Sequence, residues 1–251
     1  KKKEELAQLM ADCLLLSTKG EAGSNVLAVD DVSAKYAALG ATIEQLETGG
    51  VEYNNVVNFI LKHRTHAQHK NFTEDRSDGF DPAAATKKPP AGNALVKRIT
   101  NIFAIRRGEE HERYDAAVGN THLLFHASRI QNWVGILSRG LLLPEAVTKL
   151  GVKRTDFGWL GAGIYFGAEW ETSEQYCIAG NKKTGFMLVL EVALGRVQEQ
   201  LKQDGKIKAP KAGYDSIHGN PDKPSSEFDD HEYCVYTDKQ HRMKYFVEFR
   251  Q

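Results

Sequence analysis

From Ile99 onward the chain offers short runs of β-branched and aromatic residues with almost no helix between them, and this pattern limits the fold more than any other feature. Residues 99–105 (ITNIFAI), 122–125 (HLLF), 186–192 (FMLVLEV), 232–236 (EYCVY) and 243–249 (MKYFVEF) read as strands, several of them alternating between two faces. Two segments between them read as helices. One is 130–138, ended by Gly140; the other starts near Thr172, whose Thr-x-x-Gln spacing to Gln175 fits a capping box. Strands in succession with so few crossover helices argue against βαβ repeats and predict an α+β domain with a mixed, largely antiparallel sheet.

Before residue 70 the pattern is different. Leu6, Leu9, Met10, Cys13 and Leu14 recur at helical spacing, as do Val32, Tyr36, Leu39, Ile43 and Leu46, and again Tyr53, Val56, Val57, Ile60 and Leu61. Three such stripes, broken by Gly20, Gly23 and the Gly49–Gly50 pair, can cover one another, so residues 1–69 are expected to form a small all-α subdomain. Apolar periodicity then disappears over 70–93 while Pro, Gly, Asp and Lys accumulate, which is linker chemistry. The expected boundaries are 1–69 for the helical part, 70–96 for a linker or insertion, and 97–251 for the strand-rich domain.

Thirty-three basic residues balance thirty-three acidic ones, so no overall positive field points to nucleic acid or to an anionic membrane. No run approaches the roughly 18 apolar residues of a membrane span, and the opening KKKEE is not a secretory signal. Lacking an initiator Met, the sequence reads as an excised fragment. Cys13, Cys177 and Cys234 are odd in number and set in apolar segments, which fits the reduced thiols of an intracellular protein.

The stretch GWLGAGIYFG (158–167) contains G-x-G-x-x-F where a dinucleotide-binding loop would read G-x-G-x-x-G. That loop follows a strand and opens a helix. Here the glycines run into the strand-like Ile164-Tyr165-Phe166, and Phe166 replaces the third glycine, so a tight turn at Gly161 and Gly163 before a strand is the better reading. Certain polar residues stand out. His126 ends the apolar run Leu123-Leu-Phe and is followed by Ala127 and Ser128, presenting an imidazole and a hydroxyl together at a strand end. Tyr165 and Tyr176 flank a short helix, where packing is the commoner use of an aromatic. Glu232 shares a strand face with Cys234 and Tyr236, which places a carboxylate among apolar contacts; a solvent-exposed strand start beside Asp229, Asp230 and His231 is the competing reading. His63, His66 and His69 rotate off one helical face with no Cys or carboxylate to complete a set, so no metal is predicted. Charged loops at 204–211 and 222–230 read as solvated surface.

Taken together, residues 123–129 (LLFHASR), 135–141 (GILSRGL), 161–166 (GAGIYF) with Ser173-x-x-Tyr-Cys177, and 232–236 (EYCVY) resemble the catalytic domain of the poly(ADP-ribose) polymerases. His126, Tyr165 and Glu232 match that family's His-Tyr-Glu signature in order. Upstream, Ile102-Phe-x-Ile105 and Thr65-His-Ala67 also match, and residues 36–61 resemble the later helices of the regulatory helical subdomain of some members. Within the family, 151–156 (GVKRTD), 209–216 (APKAGYDS) and 243–245 (MKY) look most like the vault type.

The resemblance implies an ADP-ribosyltransferase β core that consumes NAD as a substrate, transferring ADP-ribose to protein acceptors, the chain itself included, with poly(ADP-ribose) elongation and residence in the nucleus or cytoplasm. Mono-transfer and a weak NAD-binding module are the alternatives. By the same resemblance Glu232, His126 and Tyr165 are catalytic. His126 would bond the adenosine-side ribose, Ser128 and the Ala127 backbone the nicotinamide amide, and Asn132 would help at the adenosine end. Tyr176 would stack on the nicotinamide ring with Tyr165 closing the other side, Phe166 and Ser173 lining the site. Glu232 would bond the 2′-hydroxyl of the nicotinamide ribose. The chain departs from the family pattern at Ala127, where Gly is usual, at Thr172, where chain-elongating members often carry Lys, and at Leu142, where some carry Arg.

Overall fold

The computed structural model describes residues 36–37, 39–64, 87–149, 158–178 and 183–251. In chain order these form strand β1 (Ala41–Gln45), helix α1 (Val51–Lys62), helix α2 (Ala94–Arg98), strand β2 (Ile99–Arg107), helix α3 (Gly108–Arg113), strand β3 (Thr121–Ala127), helix α4 (Trp133–Arg139) and helix α5 (Pro144–Lys149). Strand β4 (Ile164–Gly167), helix α6 (Trp170–Glu174) and strands β5 (Thr184–Ala193), β6 (Val197–Gln200), β7 (Ser216–Gly219), β8 (Glu232–Val235) and β9 (His241–Arg250) follow. Among the described residues nine strands make one sheet in the order β1–β2–β9–β5–β3–β4–β8–β7–β6. Every neighbouring pair is antiparallel except β6 with β7. The expected mixed, largely antiparallel α+β architecture is the one observed.

Both faces of the central strands are covered. Leu123, Phe125, Met187 and Val189 lie in one buried cluster with Val56, Val57 and Ile60 of α1. Leu124, Leu188 and Leu190 lie in the other, with Trp133 of α4. Alternate residues of one strand thus go to different cores, as the pleat requires, and the continuous apolar run 187–190 is explained by burial on two sides. Each fully buried Val, Leu or Ile contributes about 1.5–3 kcal/mol.

The N-terminal expectation needs correction. Leu6 to Leu14 lie outside the described residues, but Ile43 and its neighbours form β1, paired with β2 from Ala41 opposite Arg107 to Gln45 opposite Phe103. Gly40, at φ +64, breaks any helix arriving at that point. The open edge of β2 then offers more hydrogen bonds to Ala-Thr-Ile-Glu-Gln than helical propensity does. Among the described residues the third stripe is helical as expected, and α1 packs on the main sheet, its Phe59 ring 5.4 Å from that of Phe125. The described part of 1–69 therefore gives one strand and one helix to the common sheet.

Two helix starts also shift. Residues 130–132 form a 3₁₀ turn before α4, and Gly140 ends α4 at φ +82 as expected. The capping box at Thr172 does not form, because α6 begins two residues earlier, where the Trp170 amide donates to the His63 carbonyl at 2.9 Å. Gln175 instead donates to the Thr172 carbonyl at 2.9 Å.

Candidate active site

The centre of the site is a row across three strands: Phe125 of β3 stands opposite Gly167 of β4, which stands opposite Glu232 of β8. Gly167 has to be glycine, since a Cβ there would lie 2.7 Å from Ser173 Oγ and 3.0 Å from Thr172 Cβ. Its absence lets α6 cross the strand. Ser173, buried, donates to the Phe125 carbonyl at 3.0 Å and ties the helix to the row.

Phe125 with Gly167 is the register recorded between β3 and β4, whereas β3 pairs with β5 along its whole length. One residue on, His126 occupies the parting of the strands. Its Nδ1 lies 2.8 Å from the Tyr165 carbonyl. A carbonyl only accepts, so Nδ1 carries the proton, and Nε2 is the acceptor whenever the ring is neutral. Phe166, 2% exposed, packs edge-on against His126 with ring centroids 6.2 Å apart. It is a core residue that orients the imidazole.

Tyr165 is fixed by the glycine turn before it. Its hydroxyl accepts from the Leu160 amide at 2.9 Å and donates to the Gly161 carbonyl at 2.7 Å. Gly161 sits at φ +86, and a Cβ there would lie 2.0 Å from the Ile207 carbonyl oxygen. The glycines of GWLGAGIYFG make a compact turn that other parts of the chain close upon. Tyr236, just past the end of β8, donates its hydroxyl to the Leu160 carbonyl and holds the same turn.

Beyond β3, Asn132 donates to Ser128 Oγ at 2.8 Å. That bond directs the Ser128 proton elsewhere, so Asn132 sets the hydroxyl's orientation.

Glu232 is 7% exposed and accepts from the Tyr176 hydroxyl at 3.4 Å. Burial pushes its pKa up from 4.5 to about 7; the nearby negative charge of Asp230 adds to the rise, and the Tyr176 hydrogen bond opposes it. Tyr176 is 50% exposed and stands beside the carboxylate. One residue earlier, Gln175 donates to Asp230 Oδ2 at 3.3 Å. Burial raises the Asp230 pKa as well, against hydrogen bonds from Gln175 and Thr172. The helix beneath is braced by Arg64, which pairs with Glu171 at 2.5 Å, and by Arg98, which pairs with Glu174.

Residues 83–229 match the model of the poly(ADP-ribose) polymerase catalytic domain. The chain belongs to that family. Protein mono-ADP-ribosyltransferase PARP4 of Mus musculus is 34% identical over 250 residues, covering 98% of this chain and 11% of that protein. Its Homo sapiens counterpart is 33% identical over 251 residues, covering 99% and 13%. Poly [ADP-ribose] polymerase 2-A of Oryza sativa is 32% identical over 182 residues, covering 70% and 23%. The chain thus spans about an eighth or less of the two PARP4 proteins. The expected likeness to the vault type of the poly(ADP-ribose) polymerases holds.

Where the family usually has Gly, Ala127 is a buried residue of β3, and its φ is not positive. The extra methyl therefore brings no backbone strain. Among the described residues no group of three or more His, Cys, Asp and Glu side chains is placed to hold a metal. His63 Nδ1 lies 2.8 Å from the Phe59 carbonyl, while His66 and His69 lie outside the described residues. No described helix is long and apolar enough to cross a membrane.

Sequence reasoning brought out the residues that the structure joins as pairs: His126 with Tyr165, Ser128 with Asn132, Tyr176 with Glu232. It missed Gln175 and Asp230. The available signal was spacing, since Asp230 precedes Glu232 by one strand period and Gln175 precedes Tyr176.

Proposed function

We propose that this domain consumes NAD, breaking the bond between nicotinamide and its ribose and passing one ADP-ribose unit to a protein acceptor. The observation that carries this reading is Glu232, a buried carboxylate whose ionisation no cation assists among the described residues, beside a half-exposed tyrosine ring. The short pairing of β3 with β4 supports it, because the His126 side chain then stands beside Tyr165 rather than within a continuous ladder.

In this reading Tyr176 stacks on the nicotinamide ring. Ser128, its oxygen already engaged by Asn132, turns its proton to the amide carbonyl, and the Ala127 backbone supports the amide. His126 Nε2 accepts from the adenosine-side ribose. Glu232 accepts from the 2′-hydroxyl of the nicotinamide ribose. When the glycosidic bond breaks, its electron pair leaves with nicotinamide, which departs neutral and needs no acid. The ribose left behind gains oxocarbenium character, and an ionised Glu232 stabilises that charge; positioning and electrostatics supply the acceleration.

Transfer of a single unit is supported by Thr172 in place of the Lys of elongating members and by the mono-ADP-ribosyltransferase name of two relatives. Elongation is the second reading, favoured by the presence of Glu232. Cys177 and Cys234, buried as thiols, support residence in the reducing nucleus or cytoplasm. Incubation with labelled NAD tests all of this at once. The wild type should release nicotinamide and give one labelled band on a sizing gel, a ladder would establish elongation, and Glu232→Gln should give neither. Undiminished release by that variant would remove Glu232 from the chemistry.

A further inference from the structure

Gln175 and Tyr176 are consecutive residues at the end of α6, and they reach two carboxylates that are themselves one strand period apart. Gln175 donates to Asp230 at 3.3 Å and Tyr176 to Glu232 at 3.4 Å. The Ala168 amide donates to the intervening His231 carbonyl at 3.0 Å, which holds 230–232 alongside the end of β4. Both carboxylates are therefore presented to the same helix end, one enclosed and one partly open.

The proposed transfer sets two demands that one carboxylate meets poorly. Glu232 must stay ionised to stabilise the oxocarbenium ion, but a hydroxyl acceptor must lose its proton as it attacks. A carboxylate that accepts that proton surrenders the charge which makes it useful. Enzymes that cleave glycosidic bonds divide such work between two carboxyl groups set in different environments. His231 cannot take the second role, because its ring is engaged by His218 at 3.0 Å and by Asp222 at 3.3 Å.

We propose that Asp230 is the second carboxylate, the base that receives the acceptor's proton while Glu232 stays ionised. The inference rests on the ADP-ribosyltransferase reading above. The acceptor oxygen forms its bond to the anomeric carbon, the bond from that carbon to nicotinamide breaks with its electrons going to nicotinamide, and the acceptor proton ends on Asp230. Gln175 is a positioning residue that holds the base. The acceptor class that needs this arrangement is a neutral hydroxyl, as on serine. A carboxylate acceptor is already deprotonated and does not need it.

The test compares a serine peptide with a glutamate peptide as acceptor, with nicotinamide release measured alongside. Asp230→Asn should lower transfer to serine about 100-fold, the lower range for a general base, and transfer to glutamate far less. Asp230→Glu should restore part of the serine reaction, and Gln175→Ala should lower it about tenfold without removing the base. Equal losses on both peptides would overturn the proposal, as would a wild type that modifies glutamate alone. A wild type that releases no nicotinamide would instead overturn the underlying transferase reading.

Discussion

Glu110 and Glu232 are both enclosed by protein, at 0% and 7% exposure, yet their surroundings are opposite. One oxygen of Glu110 accepts from the Met243 amide at 3.0 Å, and the other lies 3.4 Å from His241 Nδ1. The buried Arg107 guanidinium lies close enough that the Glu110 charge opposes the lowering of its pKa by burial. Glu232 has the Tyr176 hydroxyl and, beyond it, the like charge of Asp230. Burial alone therefore does not mark a working group. A buried carboxylate beside a buried guanidinium is held as structure, whereas one left without a counter-charge among the described residues is poised to interact with a positive charge that arrives later.

The strongest attempt to break this comparison is Glu232→Gln. Nicotinamide release should fall about 1,000-fold, the scale of losing a principal transition-state contact, while the melting temperature holds or rises. If the variant instead unfolded, Glu232 would be structural after all. Glu110→Gln should do the reverse, removing about 3–5 kcal/mol of stability by taking the carboxylate charge from the buried Arg107 guanidinium. Urea denaturation measures that loss, and release per folded molecule should survive it.

A smaller effect comes from pH. The folded value of about 7 lies above the ordinary 4.5, so the native state holds the Glu232 proton more tightly than the unfolded chain does. Its contribution to stability is present below about pH 4.5 and is lost as pH rises through 7, a change of about 3 kcal/mol. Urea melts at pH 5 and pH 8 should show this for the wild type, and Glu232→Gln should flatten the difference. Activity should run the other way, rising with pH as the carboxylate ionises. The finest adjustment is Tyr176→Phe, which keeps the ring but removes the bond that favours the ionised form. The acid limb of the rate profile should move up by about half a pH unit; no movement would show that the 3.4 Å contact is too weak to matter.

Much of the site was legible because strand chemistry is local. The run LLFHAS announces a polar pair at a strand end, and GIYFG announces a strand after a turn. Alternation puts Glu232 on the Cys234 face, and the two do share it, since Tyr165 stands opposite Cys234 and Gly167 opposite Glu232. Where periodicity misled, a long-range partner had intervened. Ile43 has helical spacing but meets the edge of β2, and the Trp170 amide, bonded to His63, starts α6 ahead of Thr172. Glu110 lies in the charged run RRGEEHER and looks solvated; only packing against β9 encloses it.

By itself the sequence determined the sheet-rich α+β class and the family, and it singled out His126, Tyr165, Tyr176 and Glu232 as candidates, because residue order, alternation and turn chemistry are all written along the chain. The tertiary structure alone decided which carboxylate lacks a counter-charge among the described residues, that Gln175 and Tyr176 reach Asp230 and Glu232, and that β1 joins the common sheet with α1 packed on it. Those facts depend on contacts between residues tens to more than a hundred positions apart. Their desolvation and Coulomb energies are set by distance in space, on which local pattern is silent.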